Sequence, residues 1–291
     1  MGARNRGCVS VLGLLRLAVP ASASQQVSVI RDGAIASPAA HGIVKLEQAL
    51  RAKGYGVTGS AGADYGILAG VKSSAVEITK ALKDMKAPLP EGAEALVVSR
   101  GVYRGKPAVY LCGADARGLM YAALDTAERI GWSTGAAGPF QHVRDVSEKP
   151  YLAERCISSY TMQRAWFESH LYDEQYWKRY FDLLAASRIN SLLVIFGYEN
   201  GGFMAPLYPC FFDLPQFPGV TLVGITGAEQ ARNTAALRAL IRIAHERGID
   251  VAAGIWDHIY RGGVQGGGIP GASETAGKRV PGLAWIPTGS S

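Results

Sequence analysis

The stretch GADARGLMYAALDTAERIGW, residues 113–132, decides how the first part of the chain folds. It follows an apolar run that is typical of a strand, and its Gly-Ala-Asp turn leads directly into a helical pattern. Asp115 is predicted to cap this helix, because a carboxylate before the first turn accepts a hydrogen bond from a free backbone N–H. The inward stripe is predicted to consist of Met120, Ala123, Leu124, Ala127 and Ile130.

This pattern predicts a scaffold helix rather than a ligand-binding turn. A helix N-terminus can bind an anion, but the full G-x-G-x-x-G pattern of a dinucleotide site is absent from residues 113–118. Arg117 is expected to be a structural residue, as an ion-pair or cap partner, and not a ligand contact.

The residues before this stretch alternate between strand and helix patterns. A hairpin is predicted over 95–115, because two apolar runs flank a Gly-containing turn. Ser37 with Pro38, and Ser74 with Glu77, are predicted to start two helices. The predicted elements are strands 26–32, 55–60 and 65–71 and helices 37–53 and 74–85. They give a small β-α-β-β-α-β-β-α domain over residues 26–135, followed by a linker, residues 136–150, rich in Gly, Ser and Pro.

From residue 151 onward, strand and helix patterns alternate one by one. The run NSLLVIFGYE, residues 190–199, is almost wholly apolar and predicts a strand covered on both faces. The helix before it is expected to turn Tyr176, Tyr180, Leu183 and Leu184 inward, and the helix after it is expected to start at Asn233. The predicted elements are strands 151–160, 190–199 and 249–260 and helices 174–187 and 233–248. This β-α-β-α-β alternation predicts a parallel sheet.

The N-terminus has the pattern of an export signal. Arg4 and Arg6 precede an apolar run, and Ala21-Ser22-Ala23 is a small-residue cleavage pattern. Residues 1–23 are therefore expected to be a signal peptide, and the protein is expected to be secreted or periplasmic. No later run is long and apolar enough to predict a membrane span.

Composition narrows the class of protein further. The chain has 291 residues, of which 48% are hydrophobic, so we expect a sizeable core. The net charge is +6, but three arginines lie in the first 23 residues and no basic stripe follows, which argues against a nucleic-acid partner. The cysteines show no metal-ligand spacing, and Cys112 and Cys156 are expected to be buried thiols.

The two halves together resemble a family pattern. The small α/β domain ending in G-x-D-x-R-G-L-x-Y, followed by a linker and β/α units, resembles exo-acting glycoside hydrolases of the α-glucuronidase and bacterial β-hexosaminidase type. The resemblance is carried by Gly113, Asp115, Arg117, Gly118, Leu119, Tyr121, Arg155 and the runs 186–190 and 245–260. It implies a fold of the α/β class, in which residues 151–291 are the first part, about three β/α units, of a TIM barrel.

The resemblance also sets what is expected of the active site. A TIM barrel needs about 250 residues and eight strands, and the carboxylic acids of the families resembled lie on the fourth and later strands. The chain is therefore expected to be the N-terminal part of a hydrolase, without its catalytic carboxylates. Its catalytic residues are unknown, and activity from this chain alone stays open.

Binding residues are expected at the strand ends, where barrel enzymes place their sites. Glu199 and Asn200 end the second strand among glycines, which let a ligand approach closely; the alternative for Glu199 is a solvated loop acid. Trp256, Asp257 and His258 end the third strand and combine an aromatic platform, a carboxylate and an imidazole, a set suited to carbohydrate.

Two further residues have alternative roles. Arg155, early in the first strand, is a candidate clamp for a sugar hydroxyl or carboxylate, and the alternative is an ion pair with a neighbour such as Glu154. His258 as a metal ligand, or as a core histidine, is the alternative to sugar binding. No metal or cofactor is expected, because no further ligands show the spacing.

These observations favour a secreted glycoside hydrolase whose partner is a carbohydrate, with a uronic acid and an amino sugar both open. The alternative is a non-catalytic carbohydrate-binding or accessory protein. A metal-dependent isomerase or amidohydrolase using Asp257 and His258 is a third reading. It predicts a His-x-His pair on the first strand, which residues 155–170 do not contain.

Overall fold

The computed structural model describes two larger sheets, two short pairs of strands and the helices packed on the larger sheets. The described residues are 24–60, 62–134, 137–159, 169–196 and 226–255, with the short pieces 199–200, 203–204, 211–216, 220–222 and 285–287. All structural statements below refer to these residues.

Six strands form the first sheet: β1 (Gln26–Arg31), β2 (Gly56–Thr58), β3 (Tyr65–Val71), β4 (Leu96–Tyr103), β5 (Lys106–Gly113) and β6 (Val146–Glu148). Their order is β2-β1-β3-β5-β4-β6. The first four strands in that order are mutually parallel, and β4 runs antiparallel to both of its neighbours. Three helices cross between them: α1 (Ala39–Ala52), α2 (Val76–Asp84) and α3 (Ala116–Trp132). The predicted β-α-β-β-α-β-β-α order of elements is therefore present.

The two faces of the first sheet carry separate apolar cores. Successive side chains of a strand point to opposite faces, so Val109 and Leu111 of β5 pack against α1 and α3. Tyr110 and Cys112 point the other way and pack against α2. The stripe predicted for α3 lies in the first core, with Met120, Ala123 and Ile130 buried and Leu124 and Ala127 partly buried.

Local chemistry explains the turns around β5. Arg104 and Gly105 join β4 to β5 with φ values of 50° and 78°, and two positive φ values in a two-residue hairpin loop match the twist of the strands. Asp115 caps α3 as predicted, because its carboxylate accepts a hydrogen bond from the Gly118 N–H at 2.9 Å.

The caps predicted for the first two helices are wrong. Pro38, not Ser37, is the N-cap of α1, and it makes no side-chain cap. In α2 the Ser74 hydroxyl lies 3.4 Å from the carbonyl of Val71. The N–H of Ile78 donates instead to Asp32, which follows β1, at 2.8 Å. A carboxylate from a neighbouring strand end thus replaces the predicted capping box.

The predicted linker contributes a strand to the first sheet. Residues 146–148 form β6, which pairs with β4 through Leu96 and Glu148, Val97 and Ser147, and Val98 and Val146. The chain therefore leaves the first sheet only after residue 148.

The second sheet contains β7 (Cys156–Ser159), β8 (Ser191–Phe196) and β12 (Asp250–Ile255), all parallel and in the order β12-β8-β7. Helix α4 (Glu174–Ala186) joins β7 to β8, and α5 (Gly227–His245) precedes β12. Between β8 and α5 lie β9 (Glu199–Asn200), β10 (Phe203–Met204) and β11 (Val220–Leu222), and β13 (Trp285–Pro287) pairs with β11. The parallel sheet predicted from the β-α-β-α-β alternation is confirmed.

Helices α4 and α5 pack on one face of the second sheet, where Leu192 and Val194 of β8 meet Phe181 and Leu240. Leu193, on the other face of β8, is half-buried. The inward stripe of α4 consists of Trp177, Phe181, Leu184 and Ala185, with Tyr176 and Tyr180 partly buried. The prediction that Leu183 turns inward is wrong, because this side chain is 62% exposed.

Helix α5 begins six residues before its predicted start. Thr226 and Glu229 form a capping box, in which the Thr226 hydroxyl accepts from the Glu229 N–H at 3.2 Å. Asn233 is therefore not a cap. It lies buried inside the helix, where its side-chain oxygen accepts a hydrogen bond from the Tyr172 hydroxyl.

The two described cysteines differ in exposure. Cys112 is buried, and burial raises the pKa of its thiol to about 11. Cys156 is exposed, so its predicted burial is wrong; it lies on β7, the edge strand of the second sheet. No helix within the described residues is both long and apolar enough to cross a bilayer.

Candidate functional site

The carboxyl ends of β7, β8 and β12 lie at one edge of the second sheet. Phe196 and Ile255 are register partners at the ends of β8 and β12, and Ser159, the last residue of β7, pairs with Val194. We call this edge, defined by Ser159, Phe196 and Ile255, the carboxyl edge. In β/α barrels the residues that follow such strand ends build the active site.

Glu199 and Asn200 do not end β8, which stops at Phe196; they come three and four residues later in the chain. Their backbone forms β9, which pairs with β10 through Asn200 with Phe203 and Glu199 with Met204. The side chains of Glu199 and Asn200 are outside the described part of the structure.

Trp256, Asp257 and His258 come directly after Ile255 in the chain and lie outside the described residues. The described strand brings the chain to the carboxyl edge at Ile255, beside the point where β8 ends at Phe196. The strands that precede the two predicted groups, β8 before Glu199 and β12 before Trp256, therefore end next to each other at the carboxyl edge.

Arg155 lies at the opposite edge of the second sheet, one residue before β7. Its guanidinium donates to the carbonyl of Arg188 at 2.6 Å and to that of Leu152 at 2.7 Å, and it forms an ion pair with Glu94. Arg155 is therefore not on the first strand, and it lies at the opposite end of β7 from Ser159. The ion pair weighed as its alternative role is present, with Glu94 in place of Glu154.

The Arg155 contacts belong to a polar network that sequence reasoning missed. Glu94, which precedes β4, accepts a hydrogen bond from Asn190 Nδ2 at 2.8 Å and lies 3.5 Å from Arg117 Nη1. Asn190 in turn accepts from the backbone N–H of Arg155 at 2.8 Å. The signal available in the sequence was the run ASRIN, residues 186–190, which ends in the polar residue immediately before an apolar strand.

Arg117 extends the network to β12. Its second nitrogen lies 2.6 Å from Asp250, so the structural ion pair expected for Arg117 is present. Burial opposes the charge on Arg117, but the hydrogen bond and charge of Asp250, with the charge of Glu94, raise its pKa. Burial and the charge of Glu94 raise the pKa of the nearby Tyr121 hydroxyl. We call Glu94, Arg117, Arg155, Asn190 and Asp250 the joint network, because it joins the two sheets.

A cavity of about 290 Å³ adjoins the joint network. Glu94, Tyr121, Arg155 and Arg188 line it, together with Tyr151, whose side chain is fully exposed. Four of its five charged lining groups pair with one another: Glu94 with Arg155, and Arg188 with Glu148 at 2.5 Å. This cavity therefore belongs to the contact between the sheets, at the edge away from Phe196 and Ile255.

The described residues offer no metal centre. No group of three or more His, Cys, Asp or Glu side chains within the described part of the chain is arranged to hold a metal ion. His258, weighed as a metal ligand, is outside that part.

No protein-family model matches the chain, and no curated protein matches it. Solved structures of glycoside hydrolases have a similar fold. A GH138 enzyme targeting pectin rhamnogalacturonan II is 21% identical, with a TM-score of 0.58, over 80% of this chain and 32% of that one. The GH84 protein CpGH84D is 12% identical, with a TM-score of 0.50, over 86% of this chain and 37% of that one.

A GH115 4-O-methyl-α-glucuronidase with specificity for decorated arabinogalactans is also similar. It is 17% identical, with a TM-score of 0.49, over 79% of this chain and 29% of that one. This chain spans about a third of the length of each of these proteins. The likeness to the GH138 and GH84 structures confirms a glycoside hydrolase-like fold. At such identities the likeness extends to the fold alone.

Proposed function

We propose that the chain is part of a secreted or periplasmic glycoside hydrolase that acts on polysaccharide-derived sugars, and that the carboxyl edge of the second sheet forms part of its sugar-binding cleft. The observation that supports this most is the arrangement of β7, β8 and β12. These strands are parallel, neighbour one another in chain order and end together, as the strands of a β/α barrel do. The likeness of this arrangement, with the first sheet beside it, to the GH138 fold is the second support.

Five residues are proposed to contact the sugar. Glu199 and Asn200 follow β8 and are suited to hydrogen bonds with sugar hydroxyls, because a carboxylate accepts and a side-chain amide both donates and accepts. Trp256 offers an aromatic face for the ring of a sugar, and Asp257 and His258 offer an acceptor and a titratable imidazole. Arg155 is left out of this set, since its donors are engaged in the joint network.

The proposed chemistry is hydrolysis of a glycosidic bond. One carboxylic acid protonates the leaving oxygen, and a second carboxylate activates water or forms the glycosyl intermediate. In the proposal this chain supplies sugar contacts, and the catalytic pair comes from strands that follow β12 in the whole enzyme. The sugar is proposed to be an acidic or amino-sugar side chain of a polysaccharide.

The test measures whether the full chain binds a sugar ligand and whether it releases sugar from that ligand. Rhamnogalacturonan II fragments and N-acetylglucosamine oligomers are titrated into the protein by calorimetry, and the same mixtures are analysed for released sugar. We expect one of the two ligands to bind, and Trp256→Ala and Asp257→Asn each to weaken that binding at least tenfold. Trp132→Ala is the matched control, because Trp132 is 53% exposed at the end of α3 on the first sheet.

Three outcomes distinguish the readings. Binding that both site variants weaken and the control does not supports a sugar cleft at the carboxyl edge. Binding without release of sugar, by a native polypeptide of this same length, would favour the accessory protein over the hydrolase. If neither class of ligand binds the folded chain, the proposal is overturned.

A further inference from the structure

We propose that a cavity under α2, far from the carboxyl edge, binds an organic anion with an aliphatic or aryl body. The cavity has a volume of about 470 Å³ and lies between α2, residues 86–89 and the ends of β3 and β5. This volume lies within the range of about 300–1,000 Å³ that small-molecule sites occupy. The charged side chains that line the cavity and the apolar residues at its base both indicate the chemistry of the ligand.

Three lysines line the cavity: Lys72, Lys83 and Lys86. No carboxylate is among its lining residues, and none of the three ammonium groups has an ion-pair partner within the described part of the chain. Three lysine charges around a cavity with no carboxylate among its lining residues favour an anionic ligand, because field lines from like charges concentrate in a cleft with low-dielectric walls.

The floor of the cavity is aliphatic. Leu82 and Cys112 are 5% and 1% exposed, and Ala87 and Leu89 are partly buried in the same apolar core. No aromatic side chain lines the cavity, so it lacks the ring on which a sugar would stack. An apolar floor beneath a cationic rim matches a molecule with an apolar body and an anionic head, such as a medium-chain carboxylate.

The end of α2 holds the rim in place. The N–H of Ala87 donates to the carbonyl of Leu82 at 2.9 Å, and Lys86 has a φ of 54°, so the chain reverses into the left-handed region as it leaves the helix. This turn carries residues 86–89 along one side of the cavity. Cations near a helix C-terminus also interact with its dipole, which gives Lys83 and Lys86 a second, structural role.

Lys72 has no such second role. It follows β3, on the strand side of the cavity, and its backbone N–H donates to the carbonyl of Gly113 at 2.8 Å. Positive charges therefore converge on the cavity from a helix end, from the turn after it and from a strand end. A dipole effect at α2 explains two of these charges, whereas an anionic ligand explains all three.

The probe is sodium decanoate, titrated below its micellar concentration into the full chain and followed by calorimetry and by amide NMR shifts. We expect binding with shifts centred on Ala87 and Leu89, weakened at least tenfold by the combined change Lys72→Gln, Lys83→Gln and Lys86→Gln. The matched control combines Lys80→Gln with Lys106→Gln, two exposed lysines that do not line the cavity, and leaves affinity unchanged. Affinity is expected to fall as salt rises, since screening weakens exposed charge interactions.

A second variant keeps the test informative should the triple change disturb folding. Ala87→Phe places a ring in the cavity without removing charge, and we expect it to abolish decanoate binding while the protein stays folded. Equal affinity of the parent, the triple variant and Ala87→Phe for decanoate would overturn the proposal. So would a triple variant that loses stability but keeps its affinity, because the lysines would then serve α2 alone.

Discussion

Glu94 and Arg155 form an ion pair that joins the two sheets, although 61 residues separate them in the chain. Both side chains are largely buried, with 6% of Glu94 and 17% of Arg155 exposed. Glu94 also accepts a hydrogen bond from Asn190 and lies 3.5 Å from Arg117. One carboxylate therefore compensates two guanidinium groups, and the contact between the sheets depends on it.

Glu94→Gln is expected to lower the free energy of unfolding by about 3 kcal/mol, because it leaves the largely buried Arg155 guanidinium without its counter-charge and leaves Arg117 paired with Asp250 alone. Urea denaturation followed by circular dichroism measures the change. Glu148→Gln is the matched control. Glu148 pairs with Arg188 at 2.5 Å, but the two side chains are 41% and 39% exposed, so we expect a loss below about 1 kcal/mol. Equal losses in the two variants would show that the burial of Glu94 adds nothing.

Asp115→Ala removes two hydrogen bonds at the start of α3. One carboxylate oxygen accepts from the Gly118 N–H at 2.9 Å, and the other accepts from the backbone N–H of Glu94 at 2.8 Å. Loss of a helix cap alone costs about 1 kcal/mol, and with the second bond we expect about 2 kcal/mol. Thermal unfolding measures this. Asp84→Ala, an exposed acid at the end of α2, is expected to change stability by less than about 0.5 kcal/mol. Similar effects of the two changes would contradict the double role of Asp115.

Thr226→Ala is expected to fray the first turn of α5. The Thr226 hydroxyl accepts from the Glu229 N–H, and the Glu229 carboxylate accepts from the Thr226 N–H at 2.8 Å. The change removes the first of these two bonds of the capping box and leaves the backbone donor of the second in place. The expected cost is about 1 kcal/mol. Hydrogen exchange of the amides of Glu229 and Gln230 should accelerate, while the amides of the last turn, near Ile243, serve as an internal control. Uniform acceleration along α5 would mean that the change acts on the whole fold and not on the cap.

Features that depend on neighbours in sequence could be predicted, and features that depend on the relative position of distant segments could not. The Asp115 cap and the parallel order of β7, β8 and β12 follow from local patterns. The cap of α2 could not be predicted, because Asp32 reaches Ile78 across 46 residues. Leu183 fits an inward stripe by spacing alone, but packing on the second sheet selects Trp177, Phe181 and Leu184.

The same distinction applies to the candidate site. The apolar run over residues 190–199 predicted the strand β8 but not its end, because β8 stops at Phe196, three residues before Glu199. The position of Arg155 could not be predicted. Its surroundings are set by Glu94 and Arg188, and contact between these three residues exists only once both sheets are packed.

A second charged cluster joins α1 to α4 and to the residues after α5. The Asp182 carboxylate accepts hydrogen bonds from Lys45 and Arg247, each at 2.6 Å. His41 Nε2 lies 3.3 Å from the same carboxylate, but it is buried and makes no hydrogen bond in the described structure. Burial, and then the charges of Arg247 and Lys45, lower the pKa of His41 to about 4, against the opposing charges of Asp182 and Glu246.

This depressed pKa predicts that stability falls as the pH is lowered from about 6.5 to about 4. In that window the unfolded chain binds a proton at His41, whose ordinary pKa is about 6.5, whereas the folded protein does not. The loss is expected to reach about 3 kcal/mol at pH 4. The pKa of Asp182 is itself lowered, against the effect of its burial, by hydrogen bonds from Lys45 and Arg247, so the stability that Asp182 contributes is lost only at more acidic pH.

Urea denaturation at half-unit steps of pH measures the fall of stability in both pH ranges. His41→Gln removes the titrating group and should show a smaller fall of stability between pH 6.5 and 4. Parallel curves for parent and variant across this window would refute a role for His41.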